Sequence, residues 1–107
     1  MIEKTVQEIE KTVTQSPTLS PEKRDQLLRL LGELKKEIQV LSRTHQESAL
    51  GIADRTHAST RQATREDADR PALDETIADL KETVGKFEAS HPGLVSTVNA
   101  FCNALAD

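Results

Sequence analysis

The stretch RTHQESALGIADRTHASTRQATREDADR, residues Arg43 to Arg70, is the one on which the fold turns. Its only large apolar residues are Leu50 and Ile52. Hydropathy alone therefore marks it as weak. A stripe can still be traced through Ala49, Ala53, Thr56, Thr60 and Ala63, spaced four, three, four, three, which is the rhythm of one helix face. The spacing predicts a helix from about Gln46 to Glu66. Gly51 is a soft point, and Leu41, His45 and Ala49, spaced four and four, form a phase slip from the helix before it. Such a small face lets another helix approach closely. The alternative is a loose segment that orders only on assembly.

On either side the patterns are stronger. Towards the N-terminus, IEKTV occurs twice within residues Ile2 to Val13, seven positions apart. Ile2, Val6, Ile9 and Val13 fall on one face, so a first helix from about Ile2 to Gln15 carries a heptad seam. A free helix of that length is marginal in water and has to pack on something. SPTLSP follows. Pro17 ends the first helix, and Ser20, Pro21 and Glu22 supply a hydroxyl cap, a proline in the first turn and an acid near the positive end of the dipole. The second helix carries Leu27, Leu31, Leu34, Ile38 and Leu41, widened by Leu28 and Leu30.

Towards the C-terminus, Pro71 opens a fourth helix with Asp74 and Glu75 in its first turn. Leu73, Ile77, Leu80, Val84 and Phe87 form its seam. SHPG stops it, and Pro92 starts a fifth helix bearing Leu94, Val95, Val98, Phe101, Cys102 and Leu105. EIEKTV before SPTLSP also parallels DLKETV before FEASHPGL, as a weak internal repeat. The expected architecture is all-α. One domain, 1–107, is made of antiparallel helical hairpins with heptad seams in a coiled-coil-like bundle: a first hairpin at 1–42, the weakly apolar segment 43–70, and a second hairpin at 71–107.

Composition narrows the function classes. The chain has 107 residues, 36% of them hydrophobic and 30% charged, with mean hydropathy −0.54, no Trp or Tyr and two Phe. Slender helices sharing narrow seams suit it better than a thick core. The formal charge is −4. Residues 1–42 and 43–70 are each balanced, so the acidic surplus falls in 71–107. There is neither a basic stripe nor a set of stacking aromatics, so no nucleic acid is expected as partner. No apolar run approaches the ~20 residues of a membrane span. The opening MIEKTVQEIE lacks a signal peptide's apolar region, and a cytoplasmic location is the expectation.

Catalytic signatures are missing too. HExxH, CxxC, GxSxG and a glycine-rich phosphate loop do not occur, and no His pair stands at i,i+4. Asp54 and His57 could share a helix face, more as a solvated pair than as a metal site. His45 lies at the phase slip and His91 in the proline turn. Arg55, Arg61, Arg65 and Arg70 interleave with Asp54, Glu66, Asp67 and Asp69 as a solvated mixed-charge face, with docking of an acidic partner as the alternative. Glu66 and Arg70 are spaced for an i,i+4 pair. Cys102 reads as a buried, inert thiol. No enzyme activity, cofactor or small-molecule substrate is expected.

TVGKFEASHPGL, residues Thr83 to Leu94, with Val98 and Leu105 beyond it, resembles a family of short bacterial helical proteins catalogued only as a domain of unknown function. SPTLSPE and LLRLLGELKKEI match the family's turn and leucine-rich helix. The resemblance covers both ends, about two thirds of the chain, and implies a small bacterial helical protein with no activity carried over.

The seams raise the question of what covers them. Ile2, Val6, Ile9 and Val13, with Leu73, Ile77, Leu80, Val84 and Phe87, are the candidate interface residues. Hairpin arms of unequal length would leave apolar surface open, and self-association would bury it. The expected role is a non-catalytic scaffold, interaction or small regulatory protein acting as a homo-oligomer, a dimer or higher. The alternatives are a subunit or assembly factor whose seam a different helical protein completes, and a metal-binding or hydrolytic bundle.

Overall fold

A computed structural model describes residues 2–107. Five helices follow in order: α1 (Ile2–Gln15), α2 (Pro21–Ser42), α3 (Gln46–Thr64), α4 (Arg70–Gly85) and α5 (Pro92–Ala106). The protein is an all-α helical bundle. None of these helices is long and apolar enough to cross a membrane.

The packing order gives the segment 43–70 its role. α2, α3, α4 and α5 form a closed ring: α2 packs on α3, α3 on α4, α4 on α5, and α5 back on α2. α3 also reaches α5 across the ring, while α1 lies outside it, against α3 and α2. The helix with the fewest large apolar residues is therefore the one that every other helix touches. Ala49, Ile52, Ala53, Thr56, Ser59 and Thr60 are buried, and the first, third, fourth and sixth of these belong to the small-residue stripe read from the spacing. Small side chains let the surrounding helices come close to the α3 backbone.

Buried hydroxyls need partners, and α3 supplies them from its own backbone. Thr56 Oγ1 donates to the Ile52 carbonyl, Thr60 Oγ1 to that of Thr56, and Thr64 Oγ1 to that of Thr60, each at 2.8 Å. Ser59 Oγ, equally buried, has no partner. Because the Ile52 carbonyl keeps its helical N–H when the hydroxyl goes, Thr56→Val should leave no orphan. The expected change is neutral to about 1 kcal/mol stabilising, read from urea midpoints by circular dichroism.

Helix starts and stops follow local chemistry, with two boundary corrections. The Ser20 hydroxyl accepts from the Lys23 N–H at 3.1 Å, so α2 begins on the expected cap. α4 begins at Arg70, which puts Asp74 and Glu75 just beyond its first turn. It ends at Gly85, and Phe87 is buried from the turn that follows, not from the helix itself.

α5 has no charged residue along its length, so neighbouring helices complement its dipole. A Cβ on Gly93 would come within 3.0–3.2 Å of the Glu37 carboxylate. The glycine thus leaves room for an acid from α2 over the positive end of α5. At the other end, Lys23 Nζ donates to the Ala104 carbonyl at 3.0 Å and Arg70 Nη1 to that of Ala106 at 2.7 Å. The spacing had suggested Glu66 as the partner of Arg70. The chain leaves helical geometry between Thr64 and Arg70, and Arg70 pairs with Asp74 at 3.2 Å instead.

A closer internal likeness than that of EIEKTV and DLKETV joins α2 to α4. Leu27, Leu31, Leu34, Ile38 and Leu41 each precede Leu73, Ile77, Leu80, Val84 and Phe87 by 46 positions, and all ten are buried. At the end of each series a histidine opens the next helix with nearly the same backbone: His45 at φ −136, ψ 66 and His91 at φ −137, ψ 63. His45 N–H donates to the Leu41 carbonyl at 2.8 Å, and His91 N–H to that of Phe87 at 2.6 Å. In architecture, α2–α3 corresponds to α4–α5, with α1 as the addition.

Candidate functional surface

The nine residues nominated for an interface lie inside the monomer. Ile2, Val6, Ile9, Val13, Leu73, Ile77, Leu80, Val84 and Phe87 are each 8% exposed or less, covered by helices of the same chain. The expectation of an open seam is corrected here. Unequal hairpin arms would have left one, but α3 lies against all four other helices and fills the space. Among the described residues the exposed large apolar side chain is Val40, at 45%. A solitary exposed valine is ordinary surface.

Binding chemistry must then come from the polar faces. A groove of about 580 Å³ runs between α3 and α4, lined by Gln62 from α3 and by Ala72, Glu75, Thr76, Ala78, Asp79 and Glu82 from α4. Glu75, Asp79 and Glu82 are spaced four and three, so they line one edge of the helix. Ala72 and Ala78 add little bulk to this lining. Thr76 Oγ1 already donates to the Leu73 carbonyl at 2.8 Å. Gln62 Oε1 is buried without a hydrogen-bond partner. Asp79 receives Arg55 Nε at 3.0 Å, and no ion pair among the described residues engages Glu75 or Glu82. The groove is thus rich in acceptors and short of donors.

Gln62 also borders a depression of about 440 Å³ with Ala58, Arg61, Thr64 and Arg65. One flank of the α3 C-terminal half is therefore basic and the other, across to α4, acidic. Among the described residues Arg55 takes Asp79 from α4 and Arg70 takes Asp74, both outside the segment, whereas Arg65 uses an acid of its own segment, Asp67, at 3.3 Å. Asp79 and Asp74 became available because α4 packs on α3 and begins at Arg70, which linear spacing within 43–70 does not show.

The three histidines are separated by role. His45 and His91 flank Phe87, with ring centroids at 5.3 Å and 6.1 Å in edge-to-face arrangement. Thr44 Oγ1 lies 2.8 Å from His45 Nδ1. His57 joins α3 to α1, with Nδ1 3.8 Å from Glu8 Oε2. Its side chain is only 17% exposed, and burial, assisted by Arg61, holds its pKa below 6.5 against the opposing pull of Glu8 and Asp54. Among the described residues no group of three His, Cys, Asp or Glu is placed to hold a metal ion. Cys102 is buried, and burial pushes its thiol up to about 11. It stays protonated near neutrality and is a poor nucleophile.

His57 yields a pH prediction. Its depressed folded pKa means that the unfolded chain binds a proton more readily. Well above pH 6.5 both states are neutral at this site and the stability contribution is complete. As pH falls below 6.5 the unfolded state is protonated first, and stability declines until the folded imidazole titrates as well. Urea midpoints of the wild type should therefore fall relative to His57→Gln in that window only. Parallel curves throughout would show that His57 is not desolvated.

Comparison of the chain with protein-family models, with curated proteins and with solved structures finds no match.

Proposed function

We propose that this chain is a non-catalytic helical binding module that takes a basic segment of another protein along the groove between α3 and α4. The observation that carries the reading is the groove's lining: Glu75 and Glu82 without ion-pair partners among the described residues, beside the orphaned Gln62 Oε1. Lysine and arginine side chains carry the donors such a surface lacks. The acidic surplus of residues 71–107 favours the same partner charge and would speed its encounter. A seam completed by a different protein gives way, in this reading, to a polar groove met by one. Self-association loses its original basis because the seams close within one chain.

The test is a nuclear magnetic resonance titration of the full chain with two amphipathic peptides of matched apolar sequence, one rich in Lys and Arg, one in Glu. The basic peptide should shift the amides of Gln62 and of residues 72–82. Combined Glu75→Lys and Glu82→Lys should abolish the shifts and leave the helical spectrum unchanged, since both are surface substitutions. Equal shifts from both peptides, or none at these amides, would sink the reading. The mass of the free chain, followed by light scattering over a dilution series, separately tests for a dimer.

A further inference from the structure

We propose that α1 is a hinged cover, which opens from the α2–α5 ring as a unit of its own while the ring stays folded. The topology is the ground for it. α2, α3, α4 and α5 close on one another, with α3 reaching α5 across the middle, so their mutual packing does not pass through α1. Of the other helices, α1 touches α2 and α3.

The joint is built into the link. Arg24 Nη2 donates to the Ser16 carbonyl at 3.1 Å and to that of Leu19 at 3.4 Å, which fixes residues 16–19 to α2. Thr18 Oγ1 donates to the Thr64 carbonyl at 3.2 Å, which fixes the same link to the end of α3. The C-terminal end of α1 is therefore anchored to the ring, and movement is concentrated at Gln15–Ser16, immediately before Pro17. Beneath the body of α1, the His57 contact with Glu8 identifies the α3 face involved. One turn to either side of His57 lie Ala53 and Thr60, a small residue and a hydroxyl that is satisfied by its own helix with or without α1. Uncovering this face strands no hydrogen-bonding group there. Opening exposes the stripe Ile2, Val6, Ile9 and Val13 on α1 and the α2–α3 groove on the ring. The inference is independent of the α3–α4 groove and stands or falls without it.

Native-state hydrogen exchange of the full chain tests it, since separable units reveal themselves by separate protection levels. In the wild type the amides of α1 should form one group, protected at least about 100-fold less than those at the centres of α3 and α5. Val98→Ala, a mild deletion in a fully buried α5 site, is the decisive variant. Ring amides should lose about tenfold or more in protection, whereas α1 amides should stay within about twofold of wild type, because opening α1 leaves Val98 packed. If α1 and the ring share one protection level and fall together in Val98→Ala, the chain is a single cooperative unit and the cover does not exist.

Discussion

Phe101→Ala should lower the unfolding free energy by about 3–5 kcal/mol, the range for emptying a large aromatic site in a closed core. Phe101 is the largest of the fully buried side chains and lies on α5, which packs on α2, α4 and α3. With only two phenylalanines and no tryptophan or tyrosine in the chain, few other side chains could fill the space. A domain of this size has about 5–15 kcal/mol in all, so the loss is a large part of the total. The measurement is urea unfolding followed by circular dichroism. Val95→Ala, six residues earlier and half-buried, is the control and should cost much less. A loss below about 1 kcal/mol for Phe101→Ala would mean that α5 is not enclosed as described.

Ala53→Leu is the second large effect, and its sign is the informative part. Alanine and leucine are both strong helix formers, so the intrinsic preference of α3 hardly changes. Leucine is also the more hydrophobic residue, and in a loose segment the substitution would be harmless or helpful. Ala53 is fully buried in the helix that all the others touch, and added methyl groups must push a neighbour away. The expected cost is about 1–3 kcal/mol, in urea unfolding of the same kind. Ala58→Leu, on the partly exposed side of α3, should be close to neutral. Equal, small effects at the two sites would remove α3 from the centre of the bundle.

Much of this fold is legible in the linear pattern. The stripes of α1, α2 and α4 are strong because Ile, Val and Leu recur at four-three spacing, and Ser20–Pro21 marks a helix start by chemistry that acts within one turn. The stripe of α3 was legible as well, yet its centrality was not. Hydropathy scores threonine and serine as polar, whereas in a helix their hydroxyls can bond to the preceding turn and be buried, as at Thr56 and Thr60. A seam also reveals that a helix is covered without revealing by what, and so Ile2 to Val13 and Leu73 to Phe87 read as faces for a partner. The acidic edge Glu75, Asp79, Glu82 stood in plain view at helical spacing. Its meaning depended on Gln62, which only the packing of α4 on α3 brings beside it. The ends of α5 were illegible for a similar reason, since Glu37, Lys23 and Arg70 are far from it in sequence.

The place of α3 has a consequence for the order of events in folding. Four other helices use it as their shared surface, and two of the chain's tight connections, at 43–45 and 65–69, lead directly into and out of it. Helices adjacent in sequence can meet early because the loops to be closed are short. α3 with α2 or α4 is such a pair, whereas α5 against α2 closes the ring across most of the chain. φ-value analysis should then place the rate-limiting barrier at a stage where α3 has already gathered its sequence neighbours and the α2–α5 contact is still to form. Core truncations on α3 would slow folding, and those on the far side of α5 would chiefly hasten unfolding. The helix with the fewest large apolar residues would set the pace for the rest.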